Sequence, residues 1–198
     1  PNRGSLQGVV RACPEGFFAK KIIVCEGKTE IGICRALDKW RQSNGNQSIS
    51  NKDVCYVLGE GNTFFDRCKE IKAAKFPTCS FLDSDEKVAN SNKKELRDLG
   101  INVFDWDSGN SIEQQAFKDL PLEAIKKLLE KEENKYGILN IDDSSRNLIA
   151  SIAKDKAWYK RIYKGECLGN VIFEYWHSLP NICKLKNTLK ALSDWIDE

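Results

Sequence analysis

Lys20-Lys21-Ile22-Ile23-Val24-Cys25-Glu26-Gly27 is an apolar, β-branched run that ends in an acid, and two later stretches repeat the pattern. Cys79-Ser80-Phe81-Leu82-Asp83-Ser84-Asp85 is the second. Ile101-Asn102-Val103-Phe104-Asp105-Trp106-Asp107 is the third, and it leads on to Ser111-Ile112-Glu113. Short runs of β-branched and aromatic residues read as buried strands. A carboxylate at the C-terminal end of such a strand stands where open α/β sheets bind ligands. Several together suit a divalent cation, because hard ions such as Mg²⁺ prefer oxygen ligands.

Working outward, strands are predicted at 21–25, 54–58, 78–82 and 101–105, with helical stretches at 29–42, 63–75 and within 86–99. Asn44-Gly45, Pro77 and Gly100 stop these helices in turn. Alternating strands and helices predict an α/β fold: a parallel four-stranded sheet flanked by helices, with right-handed crossovers. After residue 110 the strand signal fades. Stretches 111–119, 121–134, 143–154, 166–177 and 181–196 read as helices, with Pro121 suited to a first turn and Asp142-Asp143-Ser144-Ser145 to an N-terminus. The expected division is a linker at 1–13, a catalytic core at 14–120 and a C-terminal helical subdomain at 121–198. Gly27-Lys28-Thr29 is not the end of a phosphate-binding P-loop, since position 22, where that loop needs glycine, is isoleucine.

The chain's 198 residues can bury a real core. A net charge of +2 leaves any nucleic-acid surface to local clustering. Eight cysteines without a Cys-x-x-Cys pair, and a single histidine, argue against zinc. Reduced, buried thiols fit a cytoplasmic protein. No apolar run reaches the roughly 20 residues needed to span a bilayer, and no signal peptide is visible. The sequence opens at Pro1 and has no methionine, so a C-terminal piece of a longer protein is expected.

Glu26-Gly27-Lys28-Thr29-Glu30 after the first strand, Asp83-Ser84-Asp85 after a later one, and Ser111-Ile112-Glu113 after the next resemble a Toprim domain. With the lead-in Glu15-Gly16-Phe17-Phe18-Ala19-Lys20, the nearer resemblance is to the overcoming-lysogenization-defect (OLD) family of nucleases, over roughly residues 14–176. The resemblance implies a Toprim fold and metal-dependent cleavage of DNA. It implies an ATPase half preceding this region, a homo-oligomer in the whole protein, and a bacterial or phage origin, in many cases in defence against foreign DNA. It also assigns metal ligation to Glu26, Glu30, Asp83, Asp85 and Glu113, with Ser111 assisting. The family often has aspartate where this chain has Glu30, whose longer arm alters the detailed geometry.

The residues themselves support a metal. Carboxylates two apart on a strand face one way, and clustered carboxylates repel unless protons or a cation intervene. Two Mg²⁺ or Mn²⁺ ions about 4 Å apart would activate water and stabilise the leaving oxygen in phosphodiester hydrolysis. Plainer readings stay open: Asp83 and Asp85 as turn or cap residues, Glu30 as a solvated helix position, Ser111 as a helix cap. Asp105 and Asp107 read as loop or cap residues.

Residues 154–164, Lys-Asp-Lys-Ala-Trp-Tyr-Lys-Arg-Ile-Tyr-Lys, interleave five basic residues with Trp158, Tyr159 and Tyr163. Such a stretch suits phosphate neutralisation and base stacking, or a core aromatic pair with solvated lysines. By resemblance to the Trp-aromatic-Lys segment of OLD-type nucleases, Lys160 would stabilise transition-state charge, with Arg161 and Lys164 contacting DNA. Gly59-Glu60-Gly61-Asn62 reads equally as a phosphate-approaching loop and as a plain turn. His177 reads as structural. The expected function is therefore a divalent-metal-dependent endodeoxyribonuclease or nickase. The alternatives are a nucleic-acid-binding module with a structural metal, another Toprim phosphotransfer enzyme, or a small phosphatase.

Overall fold

The computed structural model describes residues 14–85, 90–129 and 162–198. Four strands, β1 (Lys21–Cys25), β2 (Val54–Leu58), β3 (Thr78–Phe81) and β4 (Asn102–Phe104), form one all-parallel sheet in the order β2-β1-β3-β4. The described helices are α1 (Lys28–Ser43), α2 (Phe64–Ala73), α3 (Asn90–Asp98), α4 (Ile112–Asp119), α5 (Leu122–Leu129), α6 (Ile162–Glu174) and α7 (Lys184–Asp197). The α/β class and the parallel sheet are as the strand–helix alternation predicts. The 143–154 helix, the end of the 121–134 helix, the 1–13 linker, Lys160 and Arg161 lie outside the described residues.

β1 is central and its side chains alternate between two cores, as the two-residue strand period requires. Ile22 and Val24 face Val57, Phe64, Cys68, Ile71 and Leu96, under α2 and α3. Ile23 and Cys25 face the larger core, built with Ile33, Cys34 and Leu37 of α1 and with residues of α4–α7. The C-terminal helices thus share a core with the sheet. All seven described cysteines are free, and four of them are buried.

The chain passes from β1 outward to β2, returns across β1 to β3, and continues the other way to β4. The order therefore reverses between β1 and β3, and the crevice beyond their C-terminal ends is where open α/β sheets bind ligands. Register pairs Cys25 with Phe81, so β1 and β3 end side by side.

α1 is held down by α6, which crosses it at very short range. A Cβ on Gly165 would stand 2.5 Å from the Thr29 carbonyl oxygen, and one on Gly169 would stand 2.5 Å from the Ala36 Cβ. Only glycine allows this approach. Further along, Trp40 stacks on Phe173 with ring centroids 5.2 Å apart. α6 ends earlier than the predicted 166–177 helix: Trp176–Ser178 is a separate 3₁₀ turn, and His177 is exposed on it. α7 closes the other end. Arg41, fully buried, donates to both carboxylate oxygens of Asp197 at 3.0 and 2.8 Å and to the Ser193 hydroxyl at 2.6 Å.

Candidate metal centre

Glu26 directly follows β1. Its backbone N–H donates to the Phe81 carbonyl at 2.9 Å, which extends the β1–β3 pairing by one residue and sets Glu26 beside the chain leaving β3. There the N–H of Asp83 donates to Glu26 Oε2 at 3.0 Å. Asp83 Oδ1 in turn accepts the N–H of Ile112, the first residue of α4, at 2.7 Å. A carboxylate is favoured at this position because helix N-termini carry unpaired N–H groups and partial positive charge.

Glu30 reaches back within α1: its Oε2 accepts the Gly27 N–H at 2.8 Å. A Cβ on Gly27 would stand 3.0 Å from that same oxygen, so the glycine makes room for the carboxylate. Glu30 is buried, not a solvated helix position. Ser111 is the N-cap of α4: its hydroxyl accepts the Gln114 N–H at 3.4 Å, and Gln114 Oε1 accepts the Ser111 N–H at 2.8 Å. This capping box, with glutamine in the returning position, orients the start of the helix that carries Glu113.

Glu26, Glu30, Asp83, Asp85, Ser111 and Glu113 all line one crevice of about 660 Å³. It lies at the β1/β3 reversal. The carboxylates perturb one another there. Asp83 is pushed up to about 8, first by burial and then by the charges of Glu113 and Glu26. Glu30 is raised well above the usual carboxylate range by burial, then by Asp83, Glu26 and Glu113. Glu26 is raised by burial, against the favourable N–H of Asp83. An array like this takes up protons or a cation.

The donor set fits a hard divalent ion such as Mg²⁺ or Mn²⁺. It is all oxygen, it is anionic, and the hydrogen bonds to Glu26, Glu30 and Asp83 each engage one of two carboxylate oxygens. Among the described residues no three of these side chains converge as a ready-made cage. Mg²⁺ keeps several waters and takes only one or two carboxylates directly, so chemistry and shared crevice weigh more than a closed cage.

Other candidate residues fall elsewhere. Asp105 pairs with Lys93 at 2.9 Å and Lys184 at 3.4 Å, and Asp107 pairs with Lys118 at 2.6 Å. Lys164 falls within α6. Glu60 and Gly61 border the crevice in left-handed backbone conformations, with φ of 60° and 54°. Arg67 holds Glu60 at 3.1 Å. Glu60, Lys28 and Thr29 also line the crevice, although the sequence reading gave none of them a place among the metal ligands. For Glu60 the signal was the acid inside Gly59-x-Gly61 after a strand.

Residues 17–85 match the family model described as the overcoming lysogenization defect protein-like Toprim domain. A solved structure of the C-terminal region of the Xanthomonas campestris pv. campestris OLD protein, phased with platinum, superposes with a TM-score of 0.52 at 16% identity. That match covers 92% of this chain and 96% of that one. The structure phased with iodine gives 0.51 at 14% identity, covering 91% and 97%. At these identities the likeness is one of fold. No curated protein sequence matches the chain. The match spans β1 through Asp85, and so includes Glu26, Glu30, Asp83 and Asp85. Residues 17–85 are thus similar to an OLD-like Toprim domain, in a chain that has the fold of the OLD C-terminal region.

Proposed function

We propose that the chain is a divalent-metal-dependent endodeoxyribonuclease or nickase. Glu26, Glu30, Asp83, Asp85 and Glu113 would hold Mg²⁺ or Mn²⁺, two ions in the full site, with Ser111 assisting. One observation carries this: these five carboxylates, together with Glu60, share the crevice at the β1/β3 reversal, and three of the five have raised pKa values. A bound ion would supply Lewis-acid polarisation of a phosphodiester and a nucleophilic water. The chain's own residues do the rest. The Asp83 N–H orients the Glu26 carboxylate, and the N-terminus of α4 orients that of Asp83.

The partner is DNA, approached through Lys160, Arg161 and Lys164, with Lys160 stabilising transition-state charge. In the whole protein we place an ATPase half before this module, a homo-oligomeric assembly, a cytoplasmic location and a role in defence against phage. Among the described residues no helix is long and apolar enough to cross a membrane. The test is cleavage of supercoiled plasmid with Mg²⁺ or Mn²⁺ by the wild type, Glu26→Ala and Asp83→Ala. Nicked or linear product from the wild type, lost in both variants, supports the nuclease. Metal binding without cleavage, in the chain and in the whole protein, would leave a binding module.

A further inference from the structure

α3 is a polar helix, Asn90–Asp98, that buries only two residues, Leu96 and Lys93. A lysine 4% exposed in such a helix is unusual, because burying an ammonium carries a desolvation cost of several kcal/mol. Its Nζ donates to Asp105 Oδ2 at 2.9 Å and to the Ser84 hydroxyl at 2.8 Å. Asp105 also has Arg97 at 3.6 Å and Lys184 at 3.4 Å, so Lys93 is not needed to neutralise it. The contact particular to Lys93 is with Ser84, the residue between Asp83 and Asp85.

Ser84 joins two segments. Its N–H donates to Asn110 O at 2.9 Å, and its carbonyl accepts the Gly109 N–H at 2.7 Å. Its hydroxyl donates to Trp106 O at 2.8 Å and accepts the Trp106 N–H at 3.1 Å. The turn after β3 is thus stitched to 106–110, the segment leading to Ser111 and Glu113. One residue earlier, Asp83 holds Glu26 through its N–H and Ile112 through Oδ1. The position of this serine therefore sets the acids contributed by three elements.

We propose that Lys93, acting through Ser84, is a positioning residue that fixes the turn carrying Asp83 and Asp85 for cation binding. The proposal rests on the crevice being a metal site. Groups that orient metal ligands without touching the metal typically affect affinity about 10–100-fold, and that is the effect expected here.

The test is titration of the 198-residue chain with Mn²⁺, following the electron paramagnetic resonance signal of the free ion. It compares the wild type, Lys93→Met, Lys93→Arg, Ser84→Ala, the Lys93→Met/Ser84→Ala double variant and Glu26→Ala, with circular dichroism to check folding. Lys93→Met and Ser84→Ala should each weaken binding roughly 10–100-fold. The double variant should be no weaker than the worse single one, and Lys93→Arg should recover most of the loss. Wild-type affinity in a folded Lys93→Met or Ser84→Ala protein overturns the proposal while leaving the metal site intact. Losses that multiply in the double variant overturn the route through Ser84. If Lys93→Met does not fold, Ser84→Ala decides. No Mn²⁺ binding by the wild type overturns the metal site and this proposal together.

Discussion

The backbone N–H of Asp83 donates to Glu26 Oε2 at 3.0 Å, so the peptide that follows β3 holds the acid that closes β1. The pair sits on either side of the strand-order reversal and ties the two halves of the sheet together at the crevice. Asp83→Asn keeps an oxygen for the Ile112 N–H and removes one negative charge. Metal-dependent plasmid nicking should fall at least about 100-fold, the upper end of what is lost even when a group outside the ligand set is removed. The same variant should melt at a higher temperature than the wild type in EDTA at pH 8.5, where the wild-type Asp83 ionises against its burial and its neighbours. An unchanged or lower melting temperature in EDTA would contradict the crowding described here.

The raised carboxyls make metal-free stability depend on pH in a defined direction. Asp83 has a folded value of about 8 against an ordinary 3.8, and Glu30 moves the same way from 4.5. The folded state therefore binds protons more tightly than the unfolded state over that span. The Asp83 contribution is fully present below about pH 4 and is lost as pH rises through about 8, and that of Glu30 declines in the same direction. In EDTA the melting temperature should drop by several degrees between pH 5 and 8.5. With excess Mn²⁺ the drop should shrink or vanish, since the ion replaces the protons. Parallel melts with and without the metal, at stepped pH, measure both curves.

The strands were legible because each is a short β-branched or aromatic run, and the acids because each run ends in one. Local chemistry also announced the helix starting near Ser111. What was not legible depends on distance in sequence. Glu30 looks like an ordinary exposed helix residue, and only the folded crevice buries it among Asp83, Glu26 and Glu113. Lys93 sits in a lysine-rich polar stretch with nothing to mark it, and only the fold brings it to Ser84. β4 is shorter than the predicted 101–105 because the chain turns away at Asp105, whose side chain is held by Lys93 and whose carbonyl accepts the Thr188 hydroxyl of α7.

Gly165→Ala tests the coupling of the helical layer to the crevice. The added methyl meets the Thr29 carbonyl at 2.5 Å, which is backbone and cannot swing aside. Overpacking of this kind costs about 1–3 kcal/mol. Thr29 lines the crevice and immediately precedes Glu30, so the displacement should reach the site as well. The expected outcome is a lower urea midpoint together with weaker Mn²⁺ binding. Gly16→Ala, where a Cβ meets nothing within 4 Å, is the control and should change neither.

Arg41 and Asp197 join α1 to the C-terminal end of α7, and the arginine is the buried partner. Its hydrogen bonds, then that of Lys52 at 3.0 Å, hold the Asp197 carboxyl at about 2 against the opposing effect of burial. The sign is opposite to that of the crevice acids. This contribution is present above the ordinary aspartate value of 3.8 and is lost as pH falls toward 2. Asp197→Asn should cost about 2 kcal/mol at pH 7, less than the roughly 3–5 kcal/mol of a fully buried broken pair, because Asp197 is 41% exposed. The cost should shrink as pH is lowered from 5 toward 3, since the unfolded-state carboxyl then takes up a proton that the folded one, held at about 2, does not. Mn²⁺ affinity should stay unchanged, as neither Arg41 nor Asp197 lines the crevice. Urea titrations of both proteins at pH 3, 5 and 7 read the difference directly, and a constant gap across that range would remove the ion pair as its cause.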